Sequence, residues 1–113
     1  MLTIDNLREI GVKPEDGLKR CMDNEEFYLT LVKTVPGDDK FQRLQEALEQ
    51  QDLDTAFEAA HALKGVLGNL SLTPLSEPVM EITELLRSRT EMDYTPLLTS
   101  ILEQRDILEK LCE

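Results

Sequence analysis

Residues Asp52 to Leu70 read DLDTAFEAAHALKGVLGNL. Leu53, Ala56, Ala60, Leu63, Leu67 and Leu70 recur every three or four positions, which is the period of one helical face. Asp52 or Asp54 offers a carboxylate to an orphan amide at the start, so the spacing predicts a helix from there to near Ser71. Its broad apolar stripe needs partners to cover it. Two glycines, Gly65 and Gly68, fall inside this helix. Each costs about 1 kcal/mol relative to alanine in a helix interior, so stability has been given up here for some other gain.

The flanking sequence supplies the partners. Upstream, Thr3 can cap a short helix with Ile4, Leu7 and Ile10 on its apolar side and Gly11 at its end. Pro14 opens a turn reaching Leu18, and Asn24 followed by Glu25 and Glu26 starts a helix whose face comprises Phe27, Tyr28, Leu31, Val32 and Val35. Pro36 and Gly37 break it, and Asp38 restarts the pattern with Phe41, Leu44, Ala47 and Leu48 inward. Downstream, Thr73 and Pro74 read as a cap with proline at the first helical position. Pro78 lies too deep for that start, so a kink or a restart at Ser76 or Glu77 is expected. Val79, Ile82, Leu85 and Leu86 follow, then a polar connection from Arg87 to Glu91. Asp93 then caps a last helix through Leu97, Leu98, Ile101, Leu102, Leu108 and Leu111. No segment reads as a strand. Short links between amphipathic helices predict an all-α fold, an antiparallel up-and-down four-helix bundle with an additional N-terminal helix or helices.

The 113 residues suit one domain, 1–113, with a core that needs no metal or disulfide. With 23 acidic against 12 basic residues the net charge is −11, which repels phosphate backbones and anionic membranes. Nucleic acid and membrane are therefore not expected partners. No apolar run approaches the roughly 18 residues of a membrane span. Cys21 and Cys112 show no metal-ligand spacing, and Met1 leads into a polar, cappable segment, so free thiols in a reducing cytoplasm are expected.

His61 is the only histidine. At about 100° per residue its imidazole lies roughly 140° from the centre of the leucine stripe, facing away from the core. Gly68 falls about 20° to one side of it and Gly65 about 40° to the other. With no side chains there, another molecule can approach the backbone where the imidazole projects. Lys64, about 60° around the helix and one turn on, can bring an ammonium beside whatever the imidazole carries. Asn69 suits either orienting a partner or capping the helix end. Asp54 and Glu58 are positioned to accept a hydrogen bond from an imidazole nitrogen, although a solvated acidic face is the plainer reading.

The run His61, Ala62, Leu63, Lys64, Gly65, with Asn69 and Leu70 following, resembles the H-x-x-K-G signature of histidine-containing phosphotransfer (HPt) domains. Length, acidic charge, bundle periodicity and a histidine halfway along the second bundle helix fit as well. Ser71 departs from the pattern, since many members have glycine there. The resemblance implies that His61 is the phosphorylated nucleophile. It would accept a phosphoryl group from aspartate on a response-regulator receiver domain or a hybrid sensor histidine kinase and donate it to another such domain. Lys64 would stabilise the phosphoryl group, with Gly65, Gly68 and Asn69 forming the access and docking surface. It implies a phosphoryl carrier without independent catalytic turnover, and a monomer is expected because one bundle can bury all the apolar stripes. No intrinsic cofactor or metal is implied, and Mg²⁺ is expected on the partner receiver domain. The chemistry is reasonable, because a histidine with an unperturbed pKa near 6.5 offers a neutral nucleophilic nitrogen at cellular pH.

Two other readings use the same residues. Glu58 and His61 form E-x-x-H, the spacing of carboxylate-bridged di-metal bundles, but such a site needs two of these motifs facing inward. A helical adaptor that binds receiver domains without carrying phosphate would present the same surface.

Overall fold

The computed structural model describes residues 1–113 as seven helices without a strand: α1 Ile4–Glu9, α2 Pro14–Arg20, α3 Glu25–Thr34, α4 Lys40–Glu49, α5 Leu53–Asn69, α6 Thr73–Arg87 and α7 Thr95–Cys112. The last four form the bundle. Leu48, Leu53, Tyr94 and Leu98 line one hollow, which places the end of α4 and the starts of α5 and α7 together. Arg89, just beyond α6, reaches Asp54 at the start of α5, so α5 and α6 run antiparallel. Arg105 of α7 lies over the Phe41 ring near the start of α4, at 5.8 Å, which closes the bundle up and down. The inward residues merge in one core that includes Leu44, Leu63, Leu67, Val79, Ile82, Leu86, Ile101 and Leu108, all fully buried.

Local chemistry sets most boundaries where the sequence puts them. Thr3 accepts the Asn6 amide, Asn24 the Phe27 amide and Asp52 the Thr55 amide through their side chains, at 3.0, 3.0 and 3.1 Å. The Thr55 hydroxyl and amide together hold the Asp52 carboxyl below its ordinary value. Asp38 accepts the Lys40 amide one residue ahead of the α4 N-cap, Asp39. Asp93 accepts the Thr95 amide in the same manner, although the N-cap of α7 is Tyr94.

Three expectations are corrected. Helix α6 starts one residue early, with Leu72 as its N-cap, and continues through Pro78 without a restart. Pro78 forfeits one backbone bond, to the Pro74 carbonyl, while the helix buries Leu75, Val79, Ile82 and Leu86 across that point. Phe27 is not part of the α3 core face: it is 51% exposed, because the buried line runs through Tyr28, Val32 and Val35.

The end of α5 is the part that positions the site. Leu72 donates to the Leu67 carbonyl at 3.0 Å and Ser71 to that of Gly68 at 3.1 Å, a Schellman closure with Ser71 left-handed at φ 57°. Glycine adopts that conformation without strain, which is the physical sense of the departure at this position. The closure leaves the Asn69 and Leu70 carbonyls, and the N-terminal segment takes both. Arg20 donates to Asn69 at 3.1 Å and the buried Tyr28 hydroxyl to Leu70 at 2.7 Å. Gly17 permits this approach, since a Cβ there would lie 2.6 Å from the Tyr28 ring and 2.8 Å from the Leu70 oxygen.

Burial, with the Cys21 and Glu15 charges next, pushes the Tyr28 hydroxyl from 10.0 up to about 12. An unfolded tyrosine ionises near 10 while the folded one stays protonated. Its contribution is therefore complete below pH 10 and lost as pH rises towards 12. Between about pH 8 and about pH 11.5, urea titration should show the wild type losing more stability than Tyr28→Phe, by on the order of 2 kcal/mol. Equal losses would mean that this hydroxyl does not resist ionisation.

Candidate functional site

His61 is exposed on the outer face of α5, opposite the buried line Ala56, Ala60, Leu63 and Leu67. Side chains on a helix lean towards its N-terminus, and the imidazole accordingly stacks on Phe57, one turn earlier, with centroids 5.5 Å apart and planes at 28°. The Phe57 ring is also approached by the Arg87 and Arg89 guanidinium carbons, at 5.1 and 5.0 Å from its centroid. A ring's negative face attracts such cations, so the end of α6 braces the aromatic that supports the histidine. Arg89 also pairs with Asp54 at 2.6 Å and Arg87 with Glu84 at 3.0 Å. Asp54 is thus engaged by arginine, and neither it nor Glu58 bonds the imidazole.

The other side of His61 is open. A Cβ built on Gly65 or Gly68 meets nothing within 4 Å, so neither glycine serves packing inside the bundle. Lys64 is half-buried and Asn69 is exposed as the last residue of α5. The helix closes through backbone bonds and not through the Asn69 side chain. His61, Lys64, Gly65, Gly68 and Asn69, the five positions singled out in the sequence, line one shallow polar concavity of about 350 Å³.

Arg20 of α2 is the sixth lining residue, and sequence spacing gave no sign of it. Its Nη1 donates to the Gly68 carbonyl at 3.2 Å, the Asn69 carbonyl at 3.1 Å and the Ser71 hydroxyl at 3.4 Å. These acceptors lie at the partially negative end of α5. The guanidinium therefore offsets that charge beside the site. Neither Arg20 nor Lys64 has a carboxylate partner, whereas Arg87 and Arg89 do.

A roomier hollow of about 540 Å³ among Leu48, Leu53, Tyr94 and Leu98 contains no histidine or cysteine. Glu58 and His61 share the outer face, away from the interior where a carboxylate-bridged metal pair would sit. An exposed imidazole with open ground on one side, an aromatic brace on the other and two unpaired cations nearby can take and release an anionic group. No helix is long and apolar enough to cross a membrane. Among protein-family models the Hpt domain matches residues 36–113, the four bundle helices, with α1 to α3 preceding the match. Comparison with curated proteins and with solved structures gives no significant match.

Proposed function

Since the chain belongs to the Hpt domain family, whose members are phosphoryl carriers of two-component signalling, we propose that it is a phosphorelay intermediate charged on His61. The observation that supports this most directly is the exposed imidazole in its polar, glycine-cleared concavity. A neutral ring nitrogen attacks the phosphorus of an aspartyl phosphate on a receiver domain. The P–N bond forms as the bond to the carboxylate oxygen breaks, and the reverse step charges the next receiver. Such transfer needs positioning and charge neutralisation more than covalent assistance. Phe57 fixes the ring, and Lys64, one turn on, supplies a cation for the phosphoryl oxygens. The receiver brings its own acidic pocket and Mg²⁺. The protein acts as a cytoplasmic monomer without turnover of its own, on receiver domains alone or within a hybrid sensor kinase, with no nucleic-acid or membrane partner.

The test is incubation with a panel of radiolabelled phosphorylated receiver domains from the same genome. At least one should pass its label to this protein. Retention of label by all of them, with binding to some, would leave the adaptor reading in its place.

Gly65 connects stability to access. With open space above it, Gly65→Leu removes a helix-interior glycine, so thermal stability should hold or rise by about 1 kcal/mol. The isobutyl group enters the space a docking domain needs, and transfer should slow about tenfold, the equivalent of some 1.4 kcal/mol in the barrier. Transfer at the wild-type rate would show that no surface approaches there.

A further inference from the structure

The N-terminal segment places a cation at the site from outside the family-matched region, and its chemistry indicates a use. We propose that Arg20 is a docking residue that takes a carboxylate from the surface of the partner domain; this rests on the phosphorelay reading. A guanidinium has five donors in a planar fork. All three contacts of Arg20 come from Nη1, which leaves Nε and Nη2, the edge suited to a carboxylate held bidentately, without partners. The group is exposed, lines the concavity and is pinned before any partner arrives, so little rotamer freedom is lost on engagement.

The occupant is a carboxylate on the partner and not the phosphoryl group on His61. Gly68 lies seven residues beyond His61, about 10 Å along the axis at 1.5 Å per residue. The imidazole leans the other way, onto Phe57. Lys64 is the cation on the histidine's side of the concavity and Arg20 the one at its far end. A carboxylate is attracted to this concavity even though the chain carries −11 overall, because neither Arg20 nor Lys64 has a carboxylate partner of its own.

The experiment compares wild type, Arg20→Ala, Arg20→Lys and Tyr28→Phe against the receiver domain that exchanges label most rapidly with the wild type. Transfer rate is measured against receiver concentration. Arg20→Ala should raise the half-saturating concentration about fivefold, the size of one exposed ion pair, while the rate at saturation stays within twofold. The phosphohistidine half-life of the isolated protein should not change. The difference from wild type should shrink in about 0.5 M salt, and Arg20→Lys should recover part of it. Tyr28→Phe removes the other side-chain partner of the α5 end, so it should lower thermal stability without moving half-saturation. An equal rise in Tyr28→Phe would make the Arg20 effect one of support for α5 and overturn the proposal. An unchanged half-saturation in Arg20→Ala, or a shortened phosphohistidine half-life, would overturn it as well. Binding of the His61→Gln form to the same panel separates this inference from the phosphorelay reading. If receivers bind the His61→Gln form but none passes its label to the wild type, the relay falls, while the loss of affinity on adding Arg20→Ala to the His61→Gln protein still decides the docking role. If nothing binds, both fall.

Discussion

His61→Gln should lose phosphoryl uptake to background while its circular dichroism and thermal midpoint stay those of the wild type. The loss is complete because the protein has one histidine, and an amide is not a nucleophile that can replace imidazole nitrogen. The fold is spared because that ring is exposed and contributes nothing to the buried line of α5. Only the stack on Phe57 is forfeited. Glutamine is a better helix former than histidine, so the net change in stability should fall within about 0.5 kcal/mol. Labelling with a phosphorylated receiver, followed by a thermal melt of the same sample, measures both. Residual uptake by the variant would place the phosphorylated atom elsewhere.

Gly17→Ala should destabilise by roughly 2–3 kcal/mol and lower the thermal midpoint by about 10 °C or more. Alanine gains about 1 kcal/mol of helix propensity at any helical glycine, and at Gly65 nothing opposes the gain. At Gly17 the new methyl would lie 2.6 Å from a Tyr28 ring carbon and 2.8 Å from the Leu70 carbonyl oxygen. Neither can yield cheaply, because the ring is fully buried and the oxygen is backbone. To relieve the overlap either α2 moves off, or the Tyr28 ring and the Leu70 carbonyl give way and their hydrogen bond is strained, and a buried carbonyl left unpaired costs about 1–3 kcal/mol. Differential scanning calorimetry of the two glycine variants side by side decides the matter. A Gly17→Ala protein as stable as the wild type would mean that the segment packs less closely than described.

The bundle was legible because its information is local and periodic. Leu63 and Leu67 recur on one face, Asp52 carries its own capping oxygen, and the wheel alone puts His61, Gly65 and Gly68 on the outer side, where the structure has them. Pro78 misled for a reason equally physical: a local rule about one missing amide competed with burial of Leu75, Val79, Ile82 and Leu86, and burial won. Phe57 stood four residues before His61, at a spacing that brings side chains together, but it lay off the leucine stripe and carried no role in the pattern. Arg20 and Gly17 left no trace of their roles in the sequence. Their partners at the end of α5 lie about fifty residues away, and nothing in PEDGLKR distinguishes a surface turn from one laid against the end of another helix.

The way α2 and α3 hold the last carbonyls of α5 has a dynamic corollary. When the leading arm lifts in a native-state fluctuation, the Asn69 and Leu70 carbonyls lose their side-chain donors, and the left-handed Ser71 is left to the backbone bonds of the helix closure alone. Amide protons from residue 17 to 28 and from 69 to 72 should then exchange with solvent deuterium as a single cooperative unit, ahead of the bundle interior. Breathing of a segment remote in sequence would thereby set how long the floor beside the imidazole keeps its shape.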